Sequence, residues 1–297
     1  LPGAPLWSPE SPALCRAEVQ LLVGAEMQDR AEVRFGIRLL RWSRDGLTLN
    51  GSPLKLAGGC IHHDNGPLGA CSFPEAERRR VRKLKSLGMN ALRMAHNPAS
   101  GALLEACDEV GMLAIDEAWD TWFTPKSAHD YSREFLSWFA SDLERMVRRD
   151  MNHPAVIMYS IGNEVPDPLT PAGLELEQLM VMLLHALDDT RPVTCGLNLC
   201  MMVMEHAGRS WYADADEGKA AGEISPAASS VPAPADEKPR SSMLFNLSTQ
   251  VTGAGMEWLS RAPGTDALAS PALDALDIAG YNYGSPRYED ALKIAAS

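Results

Sequence analysis

From Leu54 to Tyr281 the sequence alternates short apolar runs with amphipathic helical periods, and each apolar run ends on polar residues. This alternation constrains the fold most, because strands separated by helix-length crossovers pair in parallel. It predicts strands over Leu54–Cys60, Met89–Met94, Met112–Ile115, Ala155–Ile161, Pro192–Gly196 and Asp277–Tyr281. It predicts helices over Pro74–Leu87, Gly101–Val110, Tyr131–Asp150 and Pro171–Asp188, the last with Leu174, Leu176, Leu179, Met180, Leu183 and Leu187 on its apolar side.

Two α/β architectures fit such a pattern: an open doubly wound sheet and a (β/α)8 barrel. A doubly wound sheet commonly carries a Gly-rich phosphate turn after its first strand, and none is present here. Its functional side chains would also gather at one switch point. Instead, polar tips recur at every strand end: His62-His63-Asp64, His96-Asn97, Asp116-Glu117, Asn163-Glu164, Asn198 and Asn282-Tyr283. Six decorated ends favour a barrel mouth, so the reading is an α/β fold, a TIM barrel truncated after about its sixth strand.

The first 42 residues read differently. Leu6-Trp7-Ser8-Pro9-Glu10-Ser11-Pro12 is turn-like, and β-type stretches follow at Cys15–Val23 and Ala31–Trp42. Alternation as in Glu18-Val19-Gln20-Leu21 suits a strand with one wet face. Two strands are not stable alone, so residues 1–42 are expected to be the last part of a β-sandwich. Residues 43–297 then form the barrel domain, with Asp45-Gly46 and Asn50-Gly51 marking a small hairpin at its entry. Residues 213–240 are dominated by Ala, Pro, Ser, Asp and Glu, which predicts a flexible insertion in the fifth β–α connection.

A net charge of −12 argues against a nucleic-acid partner. No apolar run approaches the roughly 20 residues of a membrane span, so no membrane association is expected. The six cysteines are scattered without a C-x-x-C pair, as in a protein with free thiols. This favours the cytoplasm, while a start at Leu1 leaves a periplasmic or secreted destination open.

Arg149-Asp150-Met151-Asn152-His153-Pro154-Ala155-Val156-Ile157-Met158-Tyr159-Ser160-Ile161-Gly162-Asn163-Glu164 reads as a helix end, a turn, a buried strand and a polar tip. A lone Glu before Pro166 is commonly just a surface residue. Here the apolar strand before it and Gly162, which permits close approach, place Glu164 at the barrel mouth as a candidate catalytic acid/base.

This segment resembles the acid/base segment of family 2 glycoside hydrolases, which include β-galactosidases, β-glucuronidases and β-mannosidases. The resemblance extends through Phe35-Gly36-Ile37-Arg38, Leu49-Asn50-Gly51-Ser52-Pro53, Gly58 to Leu68-Gly69, Asn90-Ala91-Leu92-Arg93, Cys107-Asp108-Glu109-Val110-Gly111 and Ile115-Asp116-Glu117-Ala118, in the family's order. Leu6-Trp7-Ser8-Pro9-Glu10 resembles the start of the last strands of the family's immunoglobulin-like domain.

The resemblance implies a retaining exo-β-glycosidase that uses two carboxylates. Glu164 maps onto the acid/base. The nucleophile belongs at the end of a seventh strand and is expected beyond Ser297; Glu205, Glu257 and Glu289 lack the strand-end context. The 297 residues by themselves are therefore expected to be inactive. Among substrate-binding candidates, His62 and His96 match histidines that line the sugar subsite, or are structural histidines at strand ends; Asn163 resembles the residue that contacts the 2-hydroxyl; and Tyr283 resembles a tyrosine that hydrogen-bonds the nucleophile, or is a core tyrosine. Asp116 and Glu117 either orient Arg93 or form a buried ion pair, and the structural role is favoured. Trp119 and Trp122 suit stacking on a sugar face or helix packing equally.

Some β-galactosidases carry a cation-binding Glu and His after the third-strand Asp-Glu-Ala, and here Trp119-Asp120-Thr121-Trp122 has no such His. No metal and no cofactor are expected. The run His62-His63-Asp64-Asn65-Gly66-Pro67-Leu68-Gly69 resembles β-galactosidase-like members, so a β-linked galactoside is the expected substrate, with a homo-oligomer left open. The alternatives are a β-mannosidase, a β-glucuronidase or an inactive carbohydrate-binding barrel.

Overall fold

The computed structural model describes residues 3–208, 260–261 and 264–284. The expected insertion at 213–240 lies outside these residues.

The organising element is a six-stranded parallel sheet. Its strands are β6 (Gly58–His62), β7 (Ala91–Ala95), β8 (Leu113–Glu117), β9 (Val156–Asn163), β10 (Val193–Leu197) and β11 (Ile278–Tyr281), adjacent in chain order. Parallel neighbours in sequence order are what successive β–α units of a barrel produce. The strand β9 is buried along all eight residues and forms the centre of the core. At the sheet's first pair, a Cβ on Gly58 would stand 1.7 Å from the Ala91 carbonyl oxygen, so only glycine allows β6 this close to β7.

Among the described residues six helices pack against the sheet or its connections, and several of their ends follow from local chemistry. The helix α1 (Pro74–Ser86) starts on proline, with Glu75 and Glu77 in its first turn and Lys83 and Lys85 in its last. That charge order complements the helix dipole. Lys85 also donates to the Val110 carbonyl, tying α1 to the end of α2 (Gly101–Val110). Ser100 caps α2 by accepting from the Leu103 N–H at 3.1 Å, and Gly111 ends it with φ of 76°. The helix α3 (Ser132–Asp150) sets Phe135 against Trp119 and Trp122. Thr170 caps α4 (Pro171–Leu187). The short α5 (Leu199–His206) follows β10, and α6 (Thr265–Asp274) precedes β11.

The N-terminal segment departs from the expected strand boundaries. The strand β1 (Cys15–Val23) agrees with expectation, but the second stretch divides. The strand β2 (Glu26–Phe35) pairs with β1, whereas Leu40 and Trp42 belong to β3 (Leu40–Ser43) of a separate antiparallel sheet with β4 (Gly46–Leu49) and β5 (Ser52–Leu54). The break falls at Gly36–Leu39, where Gly36 packs so closely on Pro154 that a Cβ would lie 2.4 Å from its ring. Leu54 therefore closes this meander, and the first parallel strand begins at Gly58 rather than Leu54.

The β1–β2 hairpin is exposed on both faces, including Val19, Leu21 and Val23. It joins the barrel through Arg34, which donates to Glu109 of α2 at 2.9 Å. Trp7 is wholly buried and donates from Nε1 to the Asp108 carbonyl at 2.9 Å, so the proline-rich start is a packed anchor.

Candidate active site

The polar residues expected at the strand ends converge at the C-terminal end of the sheet. Glu164 sits one residue past β9 with φ of 51°, a left-handed conformation rare for a residue with a side chain. Its N–H donates to the Gly196 carbonyl at 2.7 Å, which fixes this turn against β10. The side chain is 8% exposed, and Oε1 accepts from Asn198 Nδ2 at 3.0 Å and Asn282 Nδ2 at 3.1 Å. Non-glycine residues held at positive φ cluster at functional sites.

Asn163 is the hub beside it. Its Oδ1 accepts from Arg93 Nη2 at 3.0 Å and Asn282 Nδ2 at 2.7 Å, and its Nδ2 donates to Asp120 at 2.9 Å. The Asn163 carbonyl accepts from the Lys126 ammonium at 2.6 Å, and the same ammonium reaches Asp120 at 2.9 Å. Burial pushes the Asp120 carboxyl up, but Lys126 and the Asn163 amide outweigh it and hold the carboxyl below its ordinary range.

Neighbouring strand residues point to opposite faces, and this separates Asp116 from Glu117. Glu117 faces the site: it is fully buried, accepts from Arg93 Nε at 2.8 Å and Ser160 Oγ at 2.6 Å, and pairs with His96 Nδ1 at 2.5 Å. Burial opposes the Arg93 charge, yet Glu117 raises its basicity above the ordinary value. Asp116 faces the helix layer, where it accepts from Arg149 at 2.5 Å and the Ala99 N–H at 2.8 Å. Burial and the adjacent Asp150 push Asp116 well above the usual carboxylate range.

His62 and His96 stand edge to face, with ring centroids 5.4 Å apart. Tyr283 has φ of 55° and is 59% exposed, and desolvation together with the Glu164 charge raises its phenol. Trp119 and Trp122 are buried, and Trp122 donates to the Ile161 carbonyl at 2.6 Å, so both pack the core. Among the described residues no group of three or more His, Cys, Asp or Glu side chains is placed to hold a metal ion.

The sequence reading did not single out Asn198, Asn282, Asp120 and Lys126 as site residues. Both asparagines follow strands directly, which was the available signal. Asp120 and Lys126 carry none, since their contacts depend on how the β8–α3 loop folds back. A cavity of about 840 Å³ lies among Arg38, Trp42, Pro154 and Arg191, and none of the site residues above lines it.

Comparison with known proteins identifies the family of the barrel. Residues 41–228 match the family model for glycosyl hydrolases family 2, TIM barrel domain. The chain is 37% identical over 225 residues to beta-galactosidase BoGH2A of Bacteroides ovatus, covering 65% of this chain and 26% of that protein. It is 37% identical over 193 residues to a putative beta-glucuronidase of Formosa agariphila, covering 64% of this chain and 18% of that protein. The crystal structure of a glycosyl hydrolase family 2 member from Bacteroides cellulosilyticus superposes with a TM-score of 0.72 at 35% identity, covering 98% of this chain and 29% of that one. The chain thus spans about a quarter of the length of the relatives it matches. With six parallel strands in barrel order and Glu164 at the end of the fourth, the chain belongs to glycosyl hydrolase family 2.

Proposed function

We propose that the chain is the acid/base-bearing part of a retaining exo-β-glycosidase that removes terminal β-D-galactosyl residues. The observation that carries this reading is the setting of Glu164: a carboxylate on a left-handed strand tip, one oxygen held by two amide groups from neighbouring strand ends. Two donors on Oε1 fix the carboxyl plane and leave Oε2 without a hydrogen bond among the described residues, the atom that would exchange a proton with the glycosidic oxygen. The same group would then take the proton from water as the covalent intermediate is hydrolysed.

The mechanism needs a second carboxylate as nucleophile. Glu117 does not fit, because Arg93, His96 and Ser160 already occupy both its oxygens, and Asp116 is turned into the helix layer. We assign that role to a carboxylate outside the described residues. Asn163, His62, His96 and Tyr283 would meet the sugar hydroxyls, with Glu117 and Arg93 holding Asn163 and His96 in place. A β-glucuronidase is the second reading, favoured by the relative of that name in Formosa agariphila.

The test is Glu164→Gln in the full-length protein. Cleavage of β-galactosides with poor leaving groups should fall about 10²–10⁴-fold, the usual worth of a positioned acid. Azide should restore turnover of activated aryl galactosides by giving the glycosyl azide. Unchanged turnover would overturn the assignment, and preference for β-glucuronides in the wild type would select the second reading.

A further inference from the structure

The peptide group between Asn163 and Glu164 is held on both sides. Its N–H, on Glu164, donates to the Gly196 carbonyl of β10 at 2.7 Å, and its carbonyl, on Asn163, accepts from the Lys126 ammonium at 2.6 Å. The first is a contact between strand ends. The second comes from outside the sheet, because Lys126 lies in the loop between β8 and α3, with its side chain 8% exposed. Asp120 of the same loop closes the clamp: its Oδ1 accepts from Lys126 at 2.9 Å and from Asn163 Nδ2 at 2.9 Å. Lys126 and Asp120 thus grip the main chain and the side chain of Asn163 together.

We propose that Lys126 is a positioning residue for the acid/base, with Asp120 as its partner: the pair locks the Asn163–Glu164 peptide plane and so sets where the Glu164 carboxyl points. The proposal rests on the glycosidase reading and deepens it by adding a residue that acts through Glu164 and not on the sugar.

The loop is anchored as this role requires. Asp130 Oδ2 accepts from the Lys126 and Ser127 N–H groups at 2.6 and 2.8 Å. The Thr124 N–H donates to Asp167 at 2.9 Å. The loop is therefore fastened to the chain on either side of Glu164, at Asn163 through Lys126 and at Asp167 through Thr124. What the clamp resists follows from the φ of 51° at Glu164, a strained value for a residue with a side chain. Relaxing that angle rotates the preceding peptide against the Glu164 side chain and carries the Asn163 carbonyl off the ammonium. A charge-assisted bond in a nearly buried place opposes this rotation. Asn198 and Asn282 hold the carboxyl itself, whereas Lys126 holds the backbone that carries it.

The test separates proton transfer from sugar recognition with two aryl glycosides of one cleaved sugar, given to the full-length protein. A phenyl glycoside has a poor leaving group and needs the acid, while a dinitrophenyl glycoside departs without it. Comparison by kcat/KM confines the reading to the bond-cleaving step. Lys126→Met should lower kcat/KM for the phenyl glycoside about 10- to 10²-fold and leave the dinitrophenyl glycoside nearly unchanged. Lys126→Arg, which keeps the charge, should recover part of the loss. Asp120→Asn, which removes the ion pair but keeps the volume, should give the same split on a smaller scale, and replaces Lys126→Met if that variant does not accumulate. Equal losses on both glycosides would make the pair structural or sugar-binding, and no loss on either would make it idle. Both results overturn the proposal and leave the glycosidase reading intact. Glu164→Gln measured alongside keeps the two claims apart: without a split of its own, or with a wild type inert towards both glycosides, the acid/base assignment fails and the proposal with it.

Discussion

Arg93 on β7 and Asn163 at the end of β9 are joined by a hydrogen bond of 3.0 Å from Nη2 to Oδ1, although 70 residues separate them in the chain. The same guanidinium donates to Glu117 at 2.8 Å and to Asn282 at 2.8 Å. One side chain thus links the ends of β7, β8, β9 and β11 under Glu164. A planar fork of donors is what makes this arrangement available to arginine and not to lysine.

Arg93→Met should therefore act on stability and activity together. It leaves Glu117 fully buried without its guanidinium partner, and breaking such a pair costs about 3–5 kcal/mol. Urea unfolding should show the midpoint falling accordingly. Arg93→Lys should recover part of the stability, because the charge remains, but not the contacts to Asn163 and Asn282. A loss below about 1 kcal/mol for Arg93→Met would mean that the cluster does not depend on this residue.

Trp7 supports a second prediction, at the opposite end of the chain from the chemistry. It is wholly buried, donates to the Asp108 carbonyl, and accepts at its own carbonyl from Asn50 at 3.0 Å. Trp7→Ala should destabilise the protein by about 3–5 kcal/mol, the usual cost of removing a buried aromatic residue. Circular dichroism melts measure the change. A melt within the error of the wild type would show that the N-terminal segment is only laid against the barrel.

What was legible in the sequence follows the range of the forces involved. The helix α2 could be read to the residue because Ser100 and Gly111 act within one turn of its ends. Glu164 was legible because a polar tip after an apolar strand is a local signal. The end of β2 was not, since it is set by Gly36 against Pro154, which lie more than a hundred residues apart. The role of Trp7 was hidden for the same reason, its partner Asp108 being 101 residues away. Lys126 lies 37 residues before Asn163 in a loop without a repeat, so only the folded chain shows that its ammonium reaches the Asn163 carbonyl.

Glu177 on α4 gives the last prediction. Its side chain is fully buried, and neither carboxyl oxygen has a hydrogen-bond partner among the described residues. Burial pushes its pKa up from 4.5 to about 8. The folded state therefore keeps a proton that the unfolded chain releases above pH 4.5. Stability from this group is fully present below pH 4.5, declines as pH rises, and is lost once pH passes about 8. The loss across that window is of the order of 5 kcal/mol. Glu177→Leu, similar in volume and without a charge to bury, should flatten this slope and raise stability at pH 8 by roughly 2 kcal/mol or more. Urea unfolding of both proteins from pH 5 to pH 9 measures it. Parallel curves for the two proteins would place the pH dependence elsewhere, with Asp167, raised to about 6 by burial, the next group to replace.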